Sequence, residues 1–592
     1  MADGKESVSD ANRSSVPMED YIADGDSLEE SQKEKGLPRW KILALILLMP
    51  LCSTAVQLPL TPSHGSIPTM EYHQIAFQSC IVVYFAWRMI YTGRPLMSLS
   101  IQMALIPVLA AWIPVITHFL TPQARRLGPA YNAALIKAVT LLPLQGLILN
   151  VVRESIERSF PQSDFIVGLG ALGLYFGIDH VWSGYRVYVL SLFYGLIRPY
   201  MMLLLSLVLI ALLPSRWITW ALVAFPHTLF YNPHSTFAPS FTHVHETSRE
   251  LMLQQGFSLV TKTEGITGYL SVLENVQEGY LMMRCDHSIL GGNWVAGVGS
   301  WAGGENPTLA VGRVAEPIYA VFVMLEAVRL VKDAHDSTLP VSDEQAQALN
   351  IGLGIGTTPS ALIAHGINTT IVELDPAVHR LAVDYFGLPP NHTAILEDAL
   401  TFVERELSIP NYKQYDYIVH DVFTGGAEPA ALFTAEFMSS LKKLLKSDGV
   451  IAINYASDLD LPSTKLVINT IISVLPNCRL FKDAIEEEGV RHGNFVNMVL
   501  FCRMRDGPFT FRDAVNSDYL GTSTRRSYLQ PRFELDLGKY VTRGSNQQLE
   551  ANASLVLHAG ETRELEKWHG LAARRHWEVM RTVVPDLIWE LW

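Results

Sequence analysis

The stretch IGLGIGTTPSALIAHGINTTIVELDPAV, residues 351–378, decides how this chain is read. A short apolar strand runs into Gly352, Gly354 and Gly356. A helical segment follows from Thr357, and a second strand closes on Glu373 and Asp375, about 20 residues beyond the first glycine. Glycines at such a point let the backbone turn tightly and approach a ligand with no Cβ in the way, and the start of the helix aims free N–H groups at the same place. A carboxylate ending the next strand accepts hydrogen bonds from both hydroxyls of a ribose. A tight turn alone would account for the glycines, but not for an acid arriving in register. The pattern is the fingerprint of a cofactor that contains adenosine.

The alternation continues downstream. HTAILEDAL predicts a third strand ending at Asp398, and YDYIVHDVF a fourth ending at Asp421. PAALFTAEFMSSLKKLL then reads as a helix, DGVIAINYA as a strand, LPSTKLVINTIISVL as a helix and VNMVLFCRM as a late strand. This predicts a doubly wound, Rossmann-like α/β sheet with acids at successive strand ends along its ligand-bearing edge. Strand-end acids also cap helices, so each has a structural alternative. His420 and Asp421 are strand neighbours that face opposite ways, so one of the two packs in the sheet.

The order GLGIG, VELDP, EDAL, YDYIVHD resembles the polyamine aminopropyltransferases, the spermidine synthase family, whose fold is that of the class I S-adenosylmethionine methyltransferases. GYLSVLENVQEGYLMMRCDHSILGG is similar to the family's N-terminal β-hairpins, and the resemblance reaches to about Arg503. It implies that the loop of Gly352, Gly354 and Gly356 runs under the methionine part of the cofactor. Glu373 would hold the ribose, with Asp375 beside it. Asp398 would sit at the adenine amine, and Asp421 would take the position of the catalytic acid that accepts a proton from the attacking amine.

Departures from that pattern bear on the acceptor. The family carries an acid inside the glycine loop, where this chain has Ile355, and a second acid three residues after the catalytic one, where it has Thr424. It carries a Gln after the hairpin Asp-Gly pair, whereas Asp286 and His287 are followed here by Leu290. Its Tyr-His-Glu run is replaced by Tyr319, Ala320 and Val321. Gripping a polycation takes several carboxylates to offset its lost hydration, and most are missing. The expectation is an S-adenosylmethionine-dependent methyltransferase with a small-molecule, less cationic and even lipophilic acceptor. The alternatives are a divergent aminopropyltransferase using decarboxylated S-adenosylmethionine, and a non-catalytic cofactor-binding protein.

The N-terminal part reads differently. Apolar runs at 40–60, 73–91, 98–120, 130–151, 163–182 and 187–213 are mostly near the ~20 residues that a bilayer-spanning helix needs, which predicts six spans and a lipid bilayer as partner. The short apolar piece ITWALVAFPHTLF reads as interfacial or packed on the membrane domain. Asp179 and His180 fall near the end of the fifth run and Arg198 within the sixth, where an unpaired charge is costly; Arg198 reads as a break between half-helices. Lys33, Lys35, Arg39 and Lys41 precede the first run and place the N-terminus on the cytoplasmic side. Six spans then return the catalytic domain to the cytoplasmic side, where S-adenosylmethionine is made, whereas seven would leave it in a lumen. The sequons at Asn368, Asn391 and Asn552 can distinguish the two.

These readings divide the 592 residues into an acidic disordered tail (1–36), a polytopic helical domain (37–240), a β-rich subdomain (241–330), an α/β cofactor domain (331–504) and an extension (505–592) with an amphipathic helix bearing Trp568, Trp577, Trp589 and Trp592. That helix suits either membrane docking, helped by Arg574 and Arg575, or packing on the catalytic domain. A hydrophobic fraction of 49% fits a polytopic half joined to a soluble half, and a net charge of −13 argues against nucleic acid. A homodimer is compatible with everything in the sequence. Cys52, Cys80, Cys285, Cys478 and Cys502 form no CxxC pair and no metal-spaced cluster, so neither a disulfide framework nor a metal site is expected.

Overall fold

Parallel strands buried on both faces must be nearly continuous apolar runs, and the runs around the glycine loop form such a sheet. The computed structural model describes residues 36–76, 97–159, 198–213, 217–234, 242–295, 314–334, 342–422, 426–475, 477–483, 495–540 and 556–592, together with Gly173 and Gly177. Strands β1 (Phe257–Glu264), β2 (Tyr269–Asn275), β3 (Tyr280–Cys285), β4 (Ser288–Trp294) and β5 (Glu316–Pro317) make an antiparallel sheet in sequential order. β6 (Val331–Asp333) pairs with β14 (Phe509–Phe511) in a small ribbon.

The main sheet contains β7 (Gln347–Ile351), β8 (Asn368–Val372), β9 (Thr393–Ile395), β10 (Tyr415–His420), β11 (Leu445–Asp458), β12 (Cys478–Lys482), β13 (Phe495–Arg503) and β15 (Phe533–Leu535). Its order is β15-β12-β13-β11-β10-β7-β8-β9. β9, β8, β7, β10 and β11 run parallel, and β13 enters antiparallel between β11 and β12. This is the class I methyltransferase arrangement, with the order reversing between β7 and β10, where such sheets open a crevice. One core of Ile351, Ile418, Ile453, Phe433 and Phe437 covers one face, and a second core of Ala348, Val419, Ala452 and Phe501 covers the other. The extension is not separate from this sheet: β15 pairs with β12 and adds its edge strand.

One expectation is corrected here, and one is met in part. Cys478 and Cys502 are joined by a disulfide, because the antiparallel register of β12 on β13 sets them directly opposite one another with 4.1 Å between Cα atoms. Without that register, a spacing of 24 residues carries no such signal. Of the six apolar runs, three form helices long and apolar enough to cross a membrane: Arg39–His64, Leu99–Leu127 and Pro129–Arg158. The run at 73–91 lies almost wholly, and that at 163–182 apart from Gly173 and Gly177, outside the described residues. The run at 187–213 is described from Arg198 as a 15-residue helix, Arg198–Leu212. The piece after it forms a helix over Ile218–Pro226 that packs Ala221 and Ala224 on Ala111 and Val115 of Leu99–Leu120.

Arg198 stands at a junction rather than in mid-span. Its Nε donates to both oxygens of Glu264 on β1, at 2.9 and 2.7 Å, and its Nη1 to Asp286 Oδ1 at 3.2 Å and to Thr61 Oγ1. The buried charge is thus paired, and the pairs fasten the apolar helices to the hairpin sheet.

The Trp-rich extension is packed against protein. Trp589 is fully buried, Trp577 Nε1 donates to Ser63 O at 3.0 Å, and His287 stacks against both rings. Arg574 and Arg575, offered above as lipid contacts, are paired with Glu71 and Asp458. Glu590 accepts from Arg125 Nε at 2.7 Å, so the last helical turns clamp the helical region and the hairpin sheet together.

Candidate active site

The register of the parallel strands builds the site. Ile351 on β7 lies opposite both Val372 on β8 and His420 on β10, and His420 lies opposite Ile453 on β11. The next residue on each strand therefore falls on one row across the carboxyl edge: Glu373, Gly352, Asp421 and Asn454, from β8 to β11. At ~4.8 Å between strands, Glu373 and Asp421 stand about 10 Å apart along that row, with the glycine loop between them.

The glycines are there because nothing else fits. Gly352, Gly354 and Gly356 all have positive φ, at 83°, 56° and 84°. A Cβ at Gly352 would run into the carbonyl oxygen of Asp421, and one at Gly354 would lie 2.7 Å from the carbonyl of Leu290 on β4. The hairpin thus presses on the loop from one side and the end of β10 from the other. Ile355, where the resembling family has an acid, is buried against Gly291 of β4 and serves that contact. Gly356 precedes the helix Thr357–Ala364.

Glu373 is 7% exposed. Its Oε2 accepts from Leu353 N at 2.9 Å and its Oε1 from Asp375 N at 2.8 Å. Each oxygen keeps a lone pair for a ribose hydroxyl. Burial pushes its acid up to about 7. Asp375 is otherwise engaged: its Oδ1 accepts from Ala377 N, capping the helix Pro376–Phe386, and its Oδ2 from Thr267 N and Oγ1, which ties that helix to the β1–β2 turn. Asp398 caps the helix Ala399–Ser408 through Oδ1, to Leu400 N and Thr401 N, and lies beyond the row.

At the other end, Asp421 Oδ1 accepts from Asn454 Nδ2 at 2.7 Å. Burial pushes its acid up to about 6, and the Asn454 bond opposes that rise. His420 is the member of the pair that packs in the sheet: it is fully buried, edge-on to Phe433 with ring centroids 5.0 Å apart, and burial lowers it to about 4. Thr424 lies outside the described residues. Sequence reasoning missed Asn454: DGVIAINYA reads as a strand of the same sheet, but the place of Asn454 on the row is set by the register of β10 against β11. Its Oδ1 is buried with no hydrogen-bond partner, as is Oδ1 of Asn350, whose Nδ2 donates to Gly352 O.

These residues fit S-adenosylmethionine: bare main chain in the middle, a carboxylate with free lone pairs at one end, and a buried carboxylate with an unsatisfied amide oxygen beside it at the other. A sequence profile for the Spermine/spermidine synthase domain matches residues 334–481. Over 110 residues, 18% of this chain and 36% of the relative, the chain is 39% identical to a polyamine aminopropyltransferase of Vibrio vulnificus. A solved structure, a probable spermidine synthase from Corynebacterium glutamicum, aligns at 17% identity over 50% of this chain and 95% of its own, with a TM-score of 0.36. The chain is 40% identical over 563 residues to the N-terminal histidine N-methyltransferase of Emericella nidulans, covering 93% of this chain and 96% of that one. Likeness at that level runs through the apolar helices as well as the sheet. The chain belongs to the family of that Emericella nidulans enzyme and is an S-adenosylmethionine-dependent methyltransferase with a spermidine synthase-like fold.

Proposed function

We propose that the chain methylates a nitrogen of an N-terminal histidine. The observation that carries this reading is Asp421 on the cofactor row, a buried carboxylate with its acid near 6, held by Asn454. The activity of the 40% identical Emericella nidulans relative supports the acceptor. When bound, the cofactor supplies a methyl group on a cationic sulfur. The chain's own residues align the lone pair of the unprotonated ring nitrogen with the methyl carbon: the N–C bond forms as the C–S bond breaks, the neutral thioether leaves, and Asp421 takes the proton from the other ring nitrogen, so the methylated ring ends neutral. An imidazole is largely neutral near pH 7, so one base suffices and the carboxylates that grip a polyamine are dispensable. A lipophilic acceptor, expected above from those missing carboxylates, loses its motive.

The test offers the purified chain a peptide beginning with His, the same peptide with Ala first, and a polyamine, each with S-adenosylmethionine. Mass spectrometry should find one methyl on the His peptide alone. Equal methylation of the Ala peptide would contradict the reading.

We also propose that the apolar helices lie in a bilayer. Trp40, Leu43, Leu47, Phe119, Leu204, Leu207, Val208, Trp220 and Val223 are exposed on them, large apolar side chains of the kind that mark a membrane contact. Alkaline extraction should leave the chain in the membrane pellet, and release into the supernatant would contradict this.

A further inference from the structure

We infer that the sheet domain faces a non-cytoplasmic, oxidising compartment and carries an N-linked glycan on Asn391. The inference rests on the membrane reading above and is independent of the acceptor. It reverses the cytoplasmic placement expected from a count of six spans.

Three observations converge. The first is the Cys478–Cys502 disulfide across β12 and β13. Disulfides form and persist in oxidising compartments and are rare where thiol reductants prevail.

The second is the sequon Asn391-His392-Thr393. Asn391 and Thr393 are both exposed, and they lie at the start of β9, which pairs with β8 at the sheet's edge. Since β9 runs parallel to β7 and β8, its start lies at the edge opposite the row of Glu373, Gly352, Asp421 and Asn454. A glycan there projects from the surface and leaves the crevice open. The sequon at Asn368 is poorer, because Thr370 is buried within β8, and Asn552 lies outside the described residues.

The third is parity. By the sequence reading, in which each of the six apolar runs crosses once, the chain returns to the side of its basic N-terminal cluster, Lys33, Lys35, Arg39 and Lys41. The apolar helix Ile218–Tyr231 packs lengthwise on Leu99–Leu120, with Trp220, Leu222 and Val223 facing outward, and makes a seventh passage. At 1.5 Å per residue it is about 21 Å long, short of the ~30 Å hydrocarbon core, a mismatch that bilayers absorb by thinning. An odd count leaves the sheet on the far side. S-adenosylmethionine must then be carried into that compartment.

The full chain is expressed in fungal cells and sealed microsomes are prepared. Without detergent the sheet domain should resist trypsin, and endoglycosidase should raise its gel mobility by one glycan. That shift should be lost in Asn391→Gln and equally in Thr393→Ala, which leaves Asn391 in place. Digestion of the sheet domain in sealed vesicles would overturn the placement whatever the glycan state. Protection without a glycosidase shift, or a shift that both variants retain, would overturn Asn391 as the modified residue. Methylation assays on the same variants should be unchanged, so failure here is distinct from failure of the acceptor reading.

Discussion

Asp421→Asn lowers turnover by roughly 10² or more while S-adenosylmethionine affinity stays close to that of the native chain. The side chain keeps its shape, and the amide oxygen can still accept from Asn454 Nδ2, so the row is preserved and only the proton acceptor is lost. The pH profile identifies the group. Asp421 acts as a base only when ionised, and burial pushes its acid up to about 6, so activity rises with pH through about 6 and is lost below it. Asn454 stabilises the charged form, so Asn454→Ala moves that acidic limb upward, whereas Asp421→Asn abolishes it at the Asp421 position. Single-turnover rates measured across pH would show both effects. A native acidic limb in Asp421→Asn would assign it to the acceptor or to another residue.

Gly352→Ala should abolish measurable cofactor binding or prevent folding. The new Cβ meets the main-chain carbonyl of Asp421, which no rotamer can relieve, and φ is 83°. Strain of the left-handed region adds ~1–2 kcal/mol for a residue with a Cβ. Moving the Asp421 carbonyl aside would displace the base as well, so cofactor affinity and turnover fall together, by at least about 100-fold in whatever fraction folds. Circular dichroism with cofactor titration separates the two outcomes. Native affinity in a folded variant would mean that the loop and the catalytic strand are not in contact.

What could be read in advance followed from local periodicity. The alternation of apolar runs gave the parallel sheet, and the glycine spacing gave the turn between β7 and its helix, because both are set by residues close in sequence. Glu373 and Asp421 could be named because strand ends in such sheets meet a ligand. Asp375 could not be told from Glu373 on these grounds: they lie two residues apart at one strand end, and it is Thr267, 108 residues upstream, that takes the second oxygen of Asp375. Asn454 was hidden for the same reason, since its place beside Asp421 depends on the register of β10 against β11. The disulfide needed the register of β12 on β13, and the pairing of Arg198 with Glu264 needed the docking of a helix on a hairpin sheet. Contacts distant in sequence are where one-dimensional patterns stop.

The most direct test of the account is a calorimetric titration of S-adenosylmethionine into the purified chain, its Glu373→Gln variant and its Asp421→Asn variant. Glu373→Gln should bind at least about tenfold more weakly, the loss of one charge-assisted bond to the ribose, and Asp421→Asn about as well as the native chain. Equal affinity in Glu373→Gln and the native chain would contradict the claim that this row of residues holds the cofactor.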